Sequence, residues 1–144
     1  ANKSYTPLFP STYSVYYTSQ LGNGFYGGAS LGFFSVDGDL IVDNNIVFDR
    51  IALKMKPGSK ITVATGGSLT ITNNSILFCC TNMWKGIEVS YFSGVDISNN
   101  SIIEDAEYAV KAVSWSSVQI SNSKLNRNFV GIGLNVPTSS KNWV

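Results

Sequence analysis

Apolar and polar positions alternate along this chain in short runs, and one run recurs. Ser68-Leu69-Thr70-Ile71-Thr72-Asn73-Asn74-Ser75-Ile76 returns as Gly94-Val95-Asp96-Ile97-Ser98-Asn99-Asn100-Ser101-Ile102 and as Ser117-Val118-Gln119-Ile120-Ser121-Asn122-Ser123-Lys124-Leu125. Period-two alternation predicts a strand with one buried face. The Asn that follows predicts the turn ending it, because Asn tolerates left-handed backbone. A degenerate copy, Leu40-Ile41-Val42-Asp43-Asn44-Asn45-Ile46, precedes these. The copies, aligned at Val42, Ile71, Ile97 and Ile120, recur at an interval that shortens slightly along the chain. A second series, Ile87, Val110 and Ile132, keeps nearly the interval that separates Ile97 from Ile120. Two series with a common period predict a solenoid, each turn holding two or three short strands and lying about 4.8 Å above the last. The expected inward stacks are Leu69, Val95 and Val118; Ile71, Ile97 and Ile120; and Ile76, Ile102 and Leu125. Asn44, Asn73, Asn99 and Asn122 are expected to align as a structural ladder of amides at one turn.

Between the copies, Ile51-Ala52-Leu53-Lys54-Met55 alternates, Lys56-Pro57-Gly58-Ser59 reads as a turn, Lys60-Ile61-Thr62-Val63 as a strand and Ala64-Thr65-Gly66-Gly67 as another turn. The best helical candidate, Glu104 to Val113, alternates equally well. Residues 1–35 depart from the pattern. Tyr5, Tyr13, Tyr16, Tyr17, Phe25, Tyr26, Phe33 and Phe34 make them aromatic, and Pro7, Pro10 and the glycines at 22, 24, 27, 28 and 32 break them up. They are expected to form an irregular cap, 1–35, on a solenoid of residues 36–144.

Composition narrows the chemistry. Charged residues are 13% of 144, Ser, Thr, Asn and Gly carry the polarity, and 44% hydrophobic residues provide a core. A net charge of +1 gives no reason to expect nucleic acid as a partner. No apolar run is long enough to span a membrane. The opening Ala1-Asn2-Lys3-Ser4 has no signal-peptide pattern, so an exported chain is expected here in mature form. There is no histidine, which excludes His-based acid–base chemistry and His metal sites. The two cysteines, Cys79 and Cys80, are adjacent. A vicinal disulfide is strained, so one thiol is expected to pack inward and the other outward. No metal-site spacing and no cofactor motif is present.

The Ile97-Ser98-Asn99-Asn100-Ser101-Ile102 and Ile120-Ser121-Asn122-Ser123-Lys124-Leu125 units resemble the repeats of right-handed parallel β-helix proteins, the pectate-lyase-like superfamily. The segment from Lys56 to Ile71, with Cys80-Thr81-Asn82-Met83-Trp84-Lys85-Gly86-Ile87-Glu88-Val89, is similar to β-helix regions of large secreted or surface-displayed proteins of Bacteroidota. The fold expected is therefore all-β: a right-handed parallel β-helix of about four to five rungs, with an aromatic-rich N-terminal cap. The resemblance implies a secreted or cell-surface bacterial location and a longer parent chain. An end formed by Asn135 to Val144 is expected either to fold over through Trp143 and Val144, to continue, or to pair with another molecule.

Enzymes of that superfamily are mostly polysaccharide lyases and hydrolases working through clustered carboxylates, or a basic residue with calcium. The one acidic cluster is Glu104-Asp105-Ala106-Glu107. Arg127 follows Glu104 at the interval that separates Ile97 from Ile120, so Glu104, Asp105, Glu107 and Arg127 form the candidate catalytic patch. Glu88 and Lys111 have the same spacing and are expected to face outward. Both sets also read as charge pairing between neighbouring rungs. Trp84 and Lys85 form the candidate ligand-binding pair, with Trp84 as a platform for a sugar ring. Asn73-Asn74-Ser75 and Asn99-Asn100-Ser101 match the glycosylation sequon. The leading expectation is a non-enzymatic structural or adhesive β-helix module, self-associating, filament-forming or glycan-contacting, with itself, other protein subunits or glycans as partners. The alternative is a carbohydrate-active or glycan-binding β-helix.

Overall fold

A computed structural model describes residues 4–10, 12–21, 25–26 and 29–135. The first turn holds β1 (Thr6–Pro7), β2 (Val15–Tyr17) and β3 (Phe25–Tyr26), with a 3₁₀ turn at Thr18–Leu21. The second holds β4 (Gly32–Val36), β5 (Asp39–Val42) and β6 (Asn45–Asp49), and the third β7 (Ile51–Met55), β8 (Lys60–Val63) and β9 (Ser68–Thr72). The fourth holds β10 (Ile76–Phe78), β11 (Trp84–Val89) and β12 (Gly94–Ile97), and the fifth β13 (Ile102–Glu104), β14 (Ala106–Val113) and β15 (Ser117–Ile120). Two strands of a sixth follow, β16 (Lys124–Asn126) and β17 (Val130–Asn135). All pairings are parallel and run between successive turns. They form three sheets, β1-β4-β7-β10-β13-β16, β2-β5-β8-β11-β14-β17 and β3-β6-β9-β12-β15. The molecule is an all-β parallel solenoid of about five turns.

The core is a set of inward stacks. In the third sheet Ile46, Leu69, Val95 and Val118 are in register, as are Phe48, Ile71, Ile97 and Ile120. In the second sheet Tyr16, Leu40, Ile61, Ile87, Val110 and Ile132 are in register. Phe48, Leu40, Ile61, Ile71, Ile87 and Ile97 are wholly buried, and burying each such side chain stabilises the fold by roughly 1.5–3 kcal/mol. The outward positions between them are polar in the later turns (Thr62, Thr70, Glu88, Asp96, Lys111 and Gln119), whereas the second turn places Ile41 and Val47 there.

Three expectations need correction. First, Ile76 and Ile102 do not share an inward stack with Leu125. The register pairs Ile76 with Ile102 and Lys124, whereas Leu77, Ile103 and Leu125 line up beside them, with Leu77 and Ile103 fully buried. Asn73 and Asn74 both adopt positive φ (53° and 64°), as do Asn99 and Asn100 (54° and 63°). After each pair the alternation restarts with a buried serine, Ser75 or Ser101, inside. The third copy has Asn122 (φ 47°) alone. Its corner is one residue shorter, which displaces Leu125 relative to a count from the strand.

Second, Asn44 is not in line with Asn73. Leu40-Ile41-Val42 belongs to the second sheet, and the true predecessor of Leu69-Thr70-Ile71 is Ile46-Val47-Phe48 in β6. Asn44 lies at another corner, where its Oδ1 accepts a hydrogen bond of 2.6 Å from the Thr18 hydroxyl. Third, the ladder at the Asn corner is made by backbone. Asn74 N–H donates to the Asn99 carbonyl (2.9 Å) and Asn100 N–H to that of Asn122 (2.6 Å). The side-chain amides reach back one turn instead, Asn73 Nδ2 to Asp49 Oδ2 (3.1 Å) and Asn99 Nδ2 to Thr72 Oγ1 (3.0 Å).

The aromatic N-terminal segment also joins the stack. β1, β2 and β3 extend all three sheets by strands of two or three residues. Tyr5 packs on Phe33 and Phe78, each ring centroid 5.7 Å away. The glycine turns at 22–24 and 27–28 and the end formed by residues 136–144, with Trp143 and Val144, lie outside the described residues.

Candidate functional site

The corner joining the first sheet to the second carries the acidic cluster. Asp105 follows β13 and Arg127 follows β16, both in left-handed conformation (φ 62° and 54°). That geometry turns their side chains toward one another across successive turns. Arg127 Nη2 lies 2.9 Å from Glu104 Oε1, and its Nε lies 3.3 Å from Asp105 Oδ1. Asn126 Nδ2 adds a 3.4 Å hydrogen bond to Glu104 Oε2. Glu107 is exposed and makes none of these contacts. Three of the four candidate residues therefore converge, and the guanidinium sits on both carboxylates. Such an arrangement binds one turn to the next, and for an exposed pair it contributes about 0.2–1 kcal/mol. Glu88 and Lys111 are register neighbours. Glu88 makes its ion pair with Lys60 on the other side (3.2 Å), and the Lys111 ammonium lies 5.3 Å from the Tyr108 ring centroid.

Trp84 is not a surface platform. It is fully buried, and its indole Nε1 donates to the Glu104 carbonyl at 2.8 Å. The ring enters the solenoid at the start of β11, fills the corner beneath the acidic cluster and satisfies its one donor there. Lys85 is exposed, and its N–H donates to the Ser59 carbonyl at 2.7 Å. The two residues of the proposed pair thus face opposite ways. Two residues on, Gly86 has φ 102°, and a Cβ there would lie 1.5 Å from the Tyr108 carbonyl oxygen. β14 bulges at this point, pairing Tyr108 with Gly86 but Val110 with Ile87.

The corner between the second and third sheets carries a feature that is not among the candidates drawn from the sequence. Gly66, Phe92 and Trp115 occupy equivalent places in three successive turns, with φ 84°, 55° and 61°. Gly66 N–H donates to the Phe92 carbonyl at 3.1 Å, and Phe92 N–H to the Trp115 carbonyl at 3.0 Å. Phe92 and Trp115 are 69% and 68% exposed, and Tyr91 beside them is 50% exposed. Left-handed backbone costs a bulky residue about 1–2 kcal/mol, and burial does not repay it here. A shallow groove of about 170 Å³ opens next to Tyr91 and is bordered by Glu88, Ser90 and Lys111. The signal was present in the sequence: Phe92 and Trp115 are separated by the same interval as Ile97 and Ile120.

A third surface is a cleft where the N-terminal segment meets the turns after β4, β7 and β10, with Phe9, Tyr16, Lys54, Lys56 and Cys80 among its walls. Cys79 is buried and Cys80 exposed, both as free thiols, in line with the alternation expected of them. Burial raises the Tyr5 hydroxyl above its ordinary pKa, and the charge of nearby Cys80 adds to this.

A protein-family model described as right-handed beta helix region matches residues 13–143. The chain belongs to this right-handed β-helix family. No curated protein and no solved structure matches it. The family gives the hand of the solenoid and leaves its activity open, since one fold hosts many functions. Within this β-helix, no group of three or more Cys, Asp or Glu is placed to hold a metal ion among the described residues. No helix among them is long and apolar enough to cross a membrane. The sequon hydroxyl of Ser75 is buried and donates to the Thr72 carbonyl (2.7 Å), a structural task.

Proposed function

We propose that this β-helix is a non-catalytic structural and adhesive module of a secreted or cell-surface protein, contacting glycans through the Phe92–Trp115 corner. The observation that carries the reading is the pair of strained, exposed aromatic residues stacked on neighbouring turns. Backbone strain held at exposed side chains points to function. Flat aromatic faces stack on the C–H faces of pyranose rings, and the groove beside Tyr91 offers Glu88, Ser90 and Lys111 as hydrogen-bonding neighbours. Similarity to surface-displayed β-helix proteins of Bacteroidota supports the location. Co-sedimentation with insoluble polysaccharides tests the proposal. The wild type is expected to pellet with at least one of them, and the Phe92→Ser/Trp115→Ser double variant to stay in the supernatant with an unchanged circular dichroism spectrum. Equal pelleting of the two would sink it.

The alternative, a polysaccharide-cleaving enzyme, rests on Glu104, Asp105 and Arg127. Their mutual pairing favours a structural role, since the guanidinium engages both carboxylates and ties one turn to the next. Turnover of an acidic polysaccharide, with or without calcium, that disappears in Asp105→Ala would reverse this preference. Self-association is a further expectation of the module, and light scattering across a concentration series reads it directly.

A further inference from the structure

The cleft at the N-terminal end has the build of a small-molecule site. Its volume is about 420 Å³, within the usual size range of ligand pockets. The floor is apolar: Phe9 and Tyr16 stack with ring centroids 4.6 Å apart, and with Val36 and Met55 they are almost wholly buried. The rim is polar and biased in charge. Lys54 and Lys56 stand on it against a single carboxylate, Asp37, among the described residues. The Lys54 ammonium is held 4.9 Å from the Tyr5 ring centroid, which limits its freedom before any ligand arrives. The walls come from four successive turns, so the cleft exists only when the N-terminal segment is docked.

We propose that this cleft binds a small ligand joining a flat apolar ring to an anionic group, a carboxylate or sulfonate. The ring lies on the Phe9–Tyr16 floor, and the anion pairs with Lys54 and Lys56. The charge balance of the rim selects an anion over a neutral or cationic molecule, and the stacked floor selects a planar body over a bare ion. The site is separate from the aromatic corner and stands whether or not that corner binds glycans.

Cys80 on the rim provides a local reporter, with buried Cys79 as an internal reference. The full chain is titrated with anilinonaphthalene sulfonate, a planar anion, while alkylation of Cys80 by iodoacetamide is followed by mass spectrometry. Saturable fluorescence is expected, together with slowed alkylation of Cys80 at the same dye concentrations. Lys56→Glu, an exposed turn substitution that leaves the sheets intact, is expected to weaken both effects roughly tenfold. Lys54→Glu is expected to do the same where circular dichroism shows it folded. Phe92→Ser/Trp115→Ser is expected to leave Cys80 protection unchanged. The proposal is overturned if saturating dye leaves Cys80 alkylation unaltered, if Lys56→Glu binds as wild type, or if the double variant abolishes protection.

Discussion

Two corners of this solenoid solve the same geometric problem with different residues. Where the third sheet meets the first, the left-handed positions are filled by Arg50 in the earliest turn and then by Asn73, Asn74, Asn99, Asn100 and Asn122. Where the second meets the third, they are filled by Gly66, Phe92 and Trp115. Both corners pass a backbone hydrogen bond from one turn to the next. Asn enters this conformation at little expense and its amide finds local partners, so the Asn turns of the first corner need no explanation beyond folding. Phe and Trp enter it under strain, and they hold their rings in water. The difference separates residues chosen by the fold from residues the fold merely tolerates.

Gly86 is the extreme case of a left-handed residue that the fold demands. Gly86→Ala would drive a methyl group into the Tyr108 carbonyl, so a loss of about 3 kcal/mol or more is expected, read as a drop in urea midpoint or failure to fold. A mild effect would mean that the bulge relaxes easily. The two corners themselves should respond with opposite sign. Asn73→Ala loses a tolerant residue and its hydrogen bond to Asp49, at about 1–2 kcal/mol. Trp115→Gly relieves strain and is expected to leave stability unchanged or raise it by up to about 1 kcal/mol. Parallel urea titrations decide it, and a destabilised Trp115→Gly would show that the ring serves the fold after all.

Smaller effects belong to the charged positions. Arg127→Ala should cost under about 1 kcal/mol, and less at high salt. A larger loss would mark the acidic corner as more than a stitch between turns. Asp43 lies at the aromatic corner one turn before Gly66. Partial burial pushes its pKa up, but hydrogen bonds from the Ser19 hydroxyl and N–H, its own N–H and the Thr18 hydroxyl outweigh this and hold it below the ordinary value. A carboxylate with a depressed folded pKa contributes stability that is complete above its unfolded value, about 3.9. That stability is lost as pH falls through the lower folded value. The melting temperature of the wild type should therefore fall more steeply than that of Asp43→Asn as pH is lowered from about 5. Parallel curves would remove Asp43 from the account of how the first turn is held.

Most of the fold was legible because a parallel stack repeats its inward residues at a fixed period. Leu69, Val95 and Val118, and Ile87, Val110 and Ile132, could be aligned by counting. Counting failed where a corner changed length, as at Asn122, and where two sheets share one pattern, as with Leu40-Ile41-Val42 and Ile46-Val47-Phe48. The candidate sites were less legible. Arg127 was paired correctly with Glu104 because both lie in the repeat, but the inward turn of Trp84 depends on the corner ahead of it. The conformation of Phe92 and Trp115 was invisible because nothing in an aromatic residue announces a left-handed backbone. Of the cleft, only the departure of the aromatic N-terminus from the repeat was visible in the sequence; its meeting with the turns that carry Lys54, Lys56 and Cys80 is a matter of three dimensions.

The missing residue at the Asn122 corner has a wider consequence. The corner there is a residue shorter than the Asn73–Asn74 and Asn99–Asn100 corners before it, yet the sheets on either side stay in parallel register. Length variation is absorbed at the corner and does not propagate. The corners are therefore natural grafting points: a binding loop inserted between Asn99 and Ser101, or at Phe92, should elaborate the surface while leaving every core stack where it is. A lineage, or a protein engineer, can change what the surface of such a solenoid displays without renegotiating how it folds.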